Sequence, residues 1–139
     1  MASSDGTADK VLQVELVAAD RLVWSGQATM VIARTTEGDV GILPNHAPML
    51  SLMVHGIIDV RTSDDETWIA AVDTGFLSVA NNRISILSEH AEMSHDIDLE
   101  KARTDLERCK SEGAVDDDVL EKAEAAWAEA RVRAAEKAS

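Results

Sequence analysis

From residue 12 to residue 88 the apolar residues come in short runs, many of them alternating with polar ones and separated by turn formers. Leu12, Val14 and Leu16 point one way and Gln13 and Glu15 the other. A period of two is the signature of a half-buried strand. Strand-like runs follow at 22–24, 29–36, 40–43, 49–53, 57–62, 67–72, 76–80 and 83–88. Between them lie 18–21, Ser25-Gly26, Glu37-Gly38-Asp39, His55-Gly56, an acidic turn at 63–66 and Asn81-Asn82, where asparagine tolerates the left-handed region. Residues 44–48 hold both prolines of the chain, Pro44 and Pro48, around His46. Two prolines so close make a stiff, non-helical loop with few backbone donors. Many short strands at regular spacing indicate an antiparallel sandwich or barrel.

After Met93 the pattern changes. Val and Ile thin out, and Ala, Glu, Lys and Arg take over. Ser94 or Asp96 can cap a helix, and Asp98 and Glu100 suit its positive first turn. Leu99, Ala102, Leu106 and Cys109 form a narrow apolar stripe, and Gly113 ends it. Acidic residues 116–118 open a second helix, whose stripe is Leu120, Ala123, Trp127, Ala130 and Ala134. Matching narrow stripes joined by a short link predict an antiparallel αα-hairpin. Its seam is mostly alanine, so it buries little area and is expected to be marginal alone. The reading is α+β, mainly β. Residues 1–94 form the sheet domain, with 1–10 frayed, and 95–139 form the helical hairpin.

Charge narrows the function. Thirteen Lys and Arg against 26 Asp and Glu give −13, which repels phosphate backbones and anionic lipid. Three Trp, one Phe and no Tyr offer little for stacking bases. Nucleic acid is therefore excluded as a partner, and proteins with basic or polar faces are expected. The first ten residues lack an apolar signal core, and no run is long enough to span a bilayer. No membrane insertion is expected. Cys109 is the single cysteine, which excludes an internal disulfide.

A search for chemistry finds no P-loop and no H-E-x-x-H. His90, Glu92 and His95 lie close in sequence at the junction, and exposed polar residues account for them better than a metal site. Cys109, on an apolar stripe, reads as an inert thiol. Trp127 reads as an anchor for the hairpin or as a hot spot for a partner. Three classes remain open: a subunit of a larger machine, a free-standing adaptor whose hairpin grips another helix, and a small enzyme using His46 or the His90/His95 pair.

The run Glu37-Gly38-Asp39-Val40-Gly41-Ile42-Leu43-Pro44-Asn45-His46-Ala47-Pro48-Met49-Leu50 resembles the signature loop of the ε subunit of F-type ATP synthase. Residues 12–25, with Trp24-Ser25-Gly26, are similar to that family's first hairpin, and Gly75-Phe76-Leu77-Ser78-Val79 and 83–92 to its closing strands. The resemblance implies a β-sandwich of about ten strands followed by a C-terminal hairpin, in a non-catalytic central-stalk subunit. It implies binding to the γ subunit and the c-ring, coupling of proton translocation to ATP synthesis, and a place on the cytoplasmic face of the bacterial cell membrane. It also implies a hairpin that extends toward the α and β subunits and restrains ATP hydrolysis. On the family's pattern Asp39 faces the c-ring loops and His46 lies near γ, with Gly41, Leu43, Pro44 and Pro48 in the same interface. Leu99, Ala102, Leu106, Trp127, Arg131 and Arg133 belong to the regulatory hairpin. Some members bind ATP through Ile-Asp-x-x-Arg-Ala; here the stretch has Ile97, Asp98, Lys101 and Ala102. Lysine lacks the planar fork that grips phosphate, so the resemblance implies at most a weak nucleotide site and no resident cofactor.

Overall fold

The computed structural model describes residues 11–62, 64–113 and 119–138. The expectations for residues 1–10, for residue 63 of the acidic turn, for the acidic start at 116–118, and for the side chains of Leu120 and Ala123 lie outside the described residues.

Ten strands run in order: β1 (Leu12–Ala18), β2 (Arg21–Ala28), β3 (Met30–Thr35), β4 (Gly38–Ile42), β5 (Met49–Met53), β6 (Gly56–Arg61), β7 (Thr67–Val72), β8 (Gly75–Ala80), β9 (Arg83–Ser88) and β10 (Ala91–Met93). A 3-10 turn at Ser94–Asp96 leads to α1 (Leu99–Gly113) and α2 (Val119–Ala138). All ten strands belong to one sheet, ordered β10-β7-β6-β3-β5-β8-β9-β1-β2, with β4 on β3. At β3–β5 only Thr35 and Met53 pair. The sheet folds over at that seam into a first half, β10-β7-β6-β3-β4, and a second, β5-β8-β9-β1-β2. The alternating residues of both inner faces share one core, including Leu12, Val14, Leu16, Val31, Ile42, Ile58, Val60, Leu77, Val79, Ile84 and Ile86.

Four details depart from the sequence reading. Strand β2 does not stop at Ser25-Gly26, because pairing with β1 continues to Leu12↔Ala28 and the Trp24 ring lies over Gly26. The β1–β9 pair is parallel, so the sandwich is not wholly antiparallel. Strand β10 is too short to announce itself and exists because it pairs with β7. The first helix is capped by neither Ser94 nor Asp96: Asp98 Oδ1 accepts from the Lys101 N–H (3.2 Å), while Ser94–Asp96 make the 3-10 turn. As expected, Asn81 and Asn82 both have positive φ (52° and 60°) in the β8–β9 turn.

The chain passes between the two halves three times at one end of the sandwich, after β5, β7 and β9. Asp73 ties these three crossings together. Its Oδ1 lies 2.7 Å from His55 Nε2 and its Oδ2 lies 3.0 Å from His90 Nδ1. Its N–H donates to the His90 carbonyl (3.0 Å) and to the buried Ser88 hydroxyl (3.0 Å), which donates to the His90 carbonyl (2.7 Å). Strand β8 enters the corner through Gly75, where an added Cβ would meet the Leu87 carbonyl oxygen at 1.9 Å. Any side chain there would force β9 away.

Replacing Asp73 by Ala strips both imidazoles and the Thr74 N–H of one shared acceptor. A loss of about 2 kcal/mol is expected, since a hydrogen bond to a charged group contributes about 1.5–3 kcal/mol. Urea unfolding should show a lower midpoint with an unchanged slope; an unmoved midpoint would remove the corner from this role.

Candidate functional site

Two surfaces can do work: the proline loop with the second half's outer face, and the hairpin with the first half's outer face.

The loop is held by geometry rather than burial. The His46 N–H donates to the Leu43 carbonyl (3.2 Å), closing a turn in which Asn45 has φ 69°. The Asn45 N–H donates to Asn82 Oδ1 (2.5 Å), Asn82 Nδ2 donates to Asn45 Oδ1 (3.3 Å), and the Asn82 carbonyl accepts from the Gln13 N–H (2.8 Å). The loop is thus pinned to the β8–β9 turn, and Leu43 and Pro48 are left exposed. His46 is half-buried, with Nδ1 2.7 Å from the Ala47 carbonyl. Gly41 and Asp39 sit on β4, opposite Ile32 and Arg34. Asp39 pairs with Arg34 Nε at 3.1 Å. Asp39 and His46 therefore do not share one end: β4 from Asp39 to Ile42, at ~3.3 Å per residue, runs roughly 10 Å before the loop that carries His46 begins.

Next to the loop lies a feature that motif reading missed. Leu22, Leu50, Leu52, Phe76 and Leu87 are each half exposed or more. Cross-strand register puts Leu52 opposite Phe76, Phe76 opposite Leu87, Leu87 opposite Val17, and Val17 opposite Leu22. One apolar rank thus crosses all five strands of the second half on its outer face. Leu50 extends it along β5 toward the loop. The signal was present as apolar doublets: Leu16-Val17, Leu52-Met53, Phe76-Leu77 and Ile86-Leu87 each hold one core residue and one rank residue. A one-sided strand needs only the first.

The first half has apolar outer residues too, Ile57, Ile69 and Ala71, but the chain's own helices cover them. Helix α2 lies on β6 and β7, and α1 packs on α2. Ala102, Ala130, Val132 and Ala134 are buried there, with Leu99, Leu106 and Trp127 partly so. The α2 stripe is wider than the sequence suggests, since Ala128 and Val132 are also buried. A helix in contact with both a sheet and another helix needs two apolar faces. Polar anchors space out along α2. Trp127 stacks on His90 with ring centroids 5.6 Å apart. Arg131 Nε reaches Glu92 Oε1 at 2.8 Å, and its Nη1 lies 3.5 Å from Asp105 Oδ2 of α1. Lys137 Nζ lies 3.5 Å from Asp59 Oδ2. Asp59 is buried under the helix end. Arg61 Nε comes within 3.5 Å of its Oδ1, which compensates charge, yet that oxygen has no hydrogen bond among the described residues.

Arg133 stays exposed beside Glu129. Ile97 and Ala102 are buried in the hairpin core, Asp98 caps α1, and Lys101 points to solvent. His90, Glu92 and His95 diverge to Asp73, Arg131 and Trp68. No group of three metal-ligating side chains occurs among the described residues. Cys109 is buried.

Residues 11–94 match the family model for the ATP synthase, Delta/Epsilon chain, beta-sandwich domain. The ATP synthase epsilon chain of Streptomyces avermitilis is 55% identical over 102 residues, 73% of this chain and 82% of that one. The ATP synthase epsilon chain of Rhodococcus opacus is 44% identical over 128 residues, 91% of this chain and 98% of that one. Among solved structures, a chain of the Euglena gracilis mitochondrial ATP synthase (OSCP/F1/c-ring) superposes with a TM-score of 0.75 at 21% identity, over 93% of this chain and 81% of that one. A chain of the Tetrahymena thermophila mitochondrial ATP synthase central stalk/c-ring gives 0.57 at 18%, over 91% and 95%. At these identities the two structures speak for the fold.

Asn82→Ala should unpin the loop. A left-handed non-glycine residue costs about 1–2 kcal/mol, and a lost hydrogen bond about 1 kcal/mol more. The expected outcome is faster amide exchange at His46 and a stability loss of about 2 kcal/mol; unchanged exchange at His46 would contradict the pin.

Proposed function

The chain belongs to the family of ATP synthase epsilon chains, non-catalytic subunits of that complex, and from that premise we propose that it anchors on the γ subunit and the c-ring and couples proton translocation to ATP synthesis. In this reading the hairpin restrains ATP hydrolysis when it extends toward the α and β subunits. The chain sits peripherally on the cytoplasmic face of the bacterial cell membrane. No helix among the described residues is long and apolar enough to cross a membrane.

One observation carries the reading. The outer face of the first half is covered by the chain's own helices, and the outer face of the second half is left bare by the described residues. Burying each rank side chain stabilises by roughly 1.5–3 kcal/mol, so covering Leu22, Leu52, Phe76 and Leu87 is a strong drive toward a protein partner. The γ subunit takes this rank together with Leu43, Pro44, His46 and Pro48. Asp39 and the β3–β4 turn, at the opposite end of β4, face the c-ring loops. Among the described residues, the polar groups Ser88, Asp73 and Asp59 are committed to structure, the first two to the corner and the third to the hairpin. No resident cofactor belongs to the reading, because Asp98 is engaged in capping and Lys101 lacks the fork of arginine.

Titrating the purified γ subunit with this chain tests the anchor. Phe76→Asp, at an exposed position, should raise Kd at least about tenfold, which corresponds to about 1.4 kcal/mol, while Glu107→Gln on the outer side of α1 leaves it unchanged. Equal affinity for Phe76→Asp and the parent would defeat the proposal.

Hydrolysis by the assembled complex tests the hairpin. A complex carrying the chain cut after Ser94 should hydrolyse ATP several-fold faster than one carrying the full chain. That cut bares Ile57, Ile69 and Ala71, so γ binding by the shortened chain is measured alongside. Equal rates from two equally assembled complexes would sink the restraint.

A further inference from the structure

Arg131 is a side chain in charged contact with both the sheet and the first helix. Its side chain, only 15% exposed, meets Glu92 of β10 through Nε (2.8 Å) and Asp105 of α1 through Nη1 (3.5 Å). Glu92 and Asp105 are themselves mostly buried. We propose that Arg131 couples the two packings of the hairpin, so that α1 closes on α2 more firmly when α2 is docked on the sheet, and docking weakens when α1 lets go. The coupling rests on the reading that the hairpin leaves the sheet in its working cycle.

The physical argument is about dielectric. An ion pair between solvated side chains contributes little, whereas the same pair in a half-buried seam is several times stronger. With α2 docked, the Arg131–Asp105 contact lies in that seam. With α2 free, both groups face water and the contact fades. Geometry adds to this, because a guanidinium held by one carboxylate has already lost its rotamer freedom when it meets the second. Repulsion between the two carboxylates opposes the coupling, but the cation between them screens it. Without Arg131, Glu92 and Asp105 would face each other across the seam as like charges. Arg103–Glu136 joins the two helices, and Lys137–Asp59 joins α2 and the sheet.

The prediction is that a change on α1 alters the contact of α2 with the sheet. Spin labels at Asp20→Cys and Glu124→Cys report docking, and labels at Glu107→Cys and Glu124→Cys report closure, in the full chain with Cys109→Ala. Through a urea series, both distances should lengthen at one midpoint. Asp105→Asn, which keeps the shape of the side chain, should lower the ratio of docked to undocked chain about fivefold. With Arg131→Gln already present, Asp105→Asn should no longer lower that ratio, because it then only removes the like-charge repulsion with Glu92. The proposal is overturned if Asp105→Asn leaves docking unchanged, or if it lowers docking equally with and without Arg131. Binding of γ is not part of this measurement, so a failure of the anchor and a failure of the coupling are told apart.

Discussion

A two-layer sandwich needs apolar residues on its inner faces only, and this one has them on both outer faces as well. That surplus is the constraint on which the other features depend. The core of Leu12, Val31, Ile58, Leu77 and Ile86 is complete between the two halves. Ile57, Ile69 and Ala71 on one outside, and the rank from Leu22 to Leu52 on the other, are additions that water penalises. The chain supplies cover for one outside with its own last forty-odd residues. No described residue covers the other.

The two covers differ in kind. A partner against the rank would gain from Leu and Phe side chains, each a large contribution. The hairpin covers its face largely with Ala102, Ala128, Ala130 and Ala134, which bring the helices close while burying little area each. Its register is set instead by Trp127 on His90, Arg131 on Glu92 and Lys137 on Asp59. Such contacts specify position more than they add stability. A face held by small apolar residues and located by charged ones is one that can be left and found again.

The strands and the β8–β9 turn were readable because period two and paired asparagines act locally. The hairpin was readable because stripes at spacings of three and four do too. What escaped was decided at a distance. Strand β2 outran Ser25-Gly26 because β1 offered partners as far as Leu12. Strand β10 is three residues long, and β7 makes it a strand. The apolar doublets stand in the sequence, but which member faces out, and whether a helix covers it, follows only from the folded sheet. Arg131 and Glu92 are 39 residues apart, so no local pattern joins them. The signature run 37–50 was legible as a unit, yet its two ends lie at opposite ends of the sandwich, because β4 runs straight between them.

Asp59 is a carboxylate set where the neighbouring pattern would accept isoleucine. Docking the end of α2 takes it out of water, and Lys137 and Arg61, each 3.5 Å away, compensate it incompletely. It therefore acts as a counterweight. A hydrophobe at this position would deepen the docked state, and every departure of the helix would then have to climb out of that deeper well. The buried charge raises the floor of the well instead, which is what the proposed departure of the hairpin requires. In the proposed function, reversibility would thus be written into the sheet itself, directly beneath the end of α2.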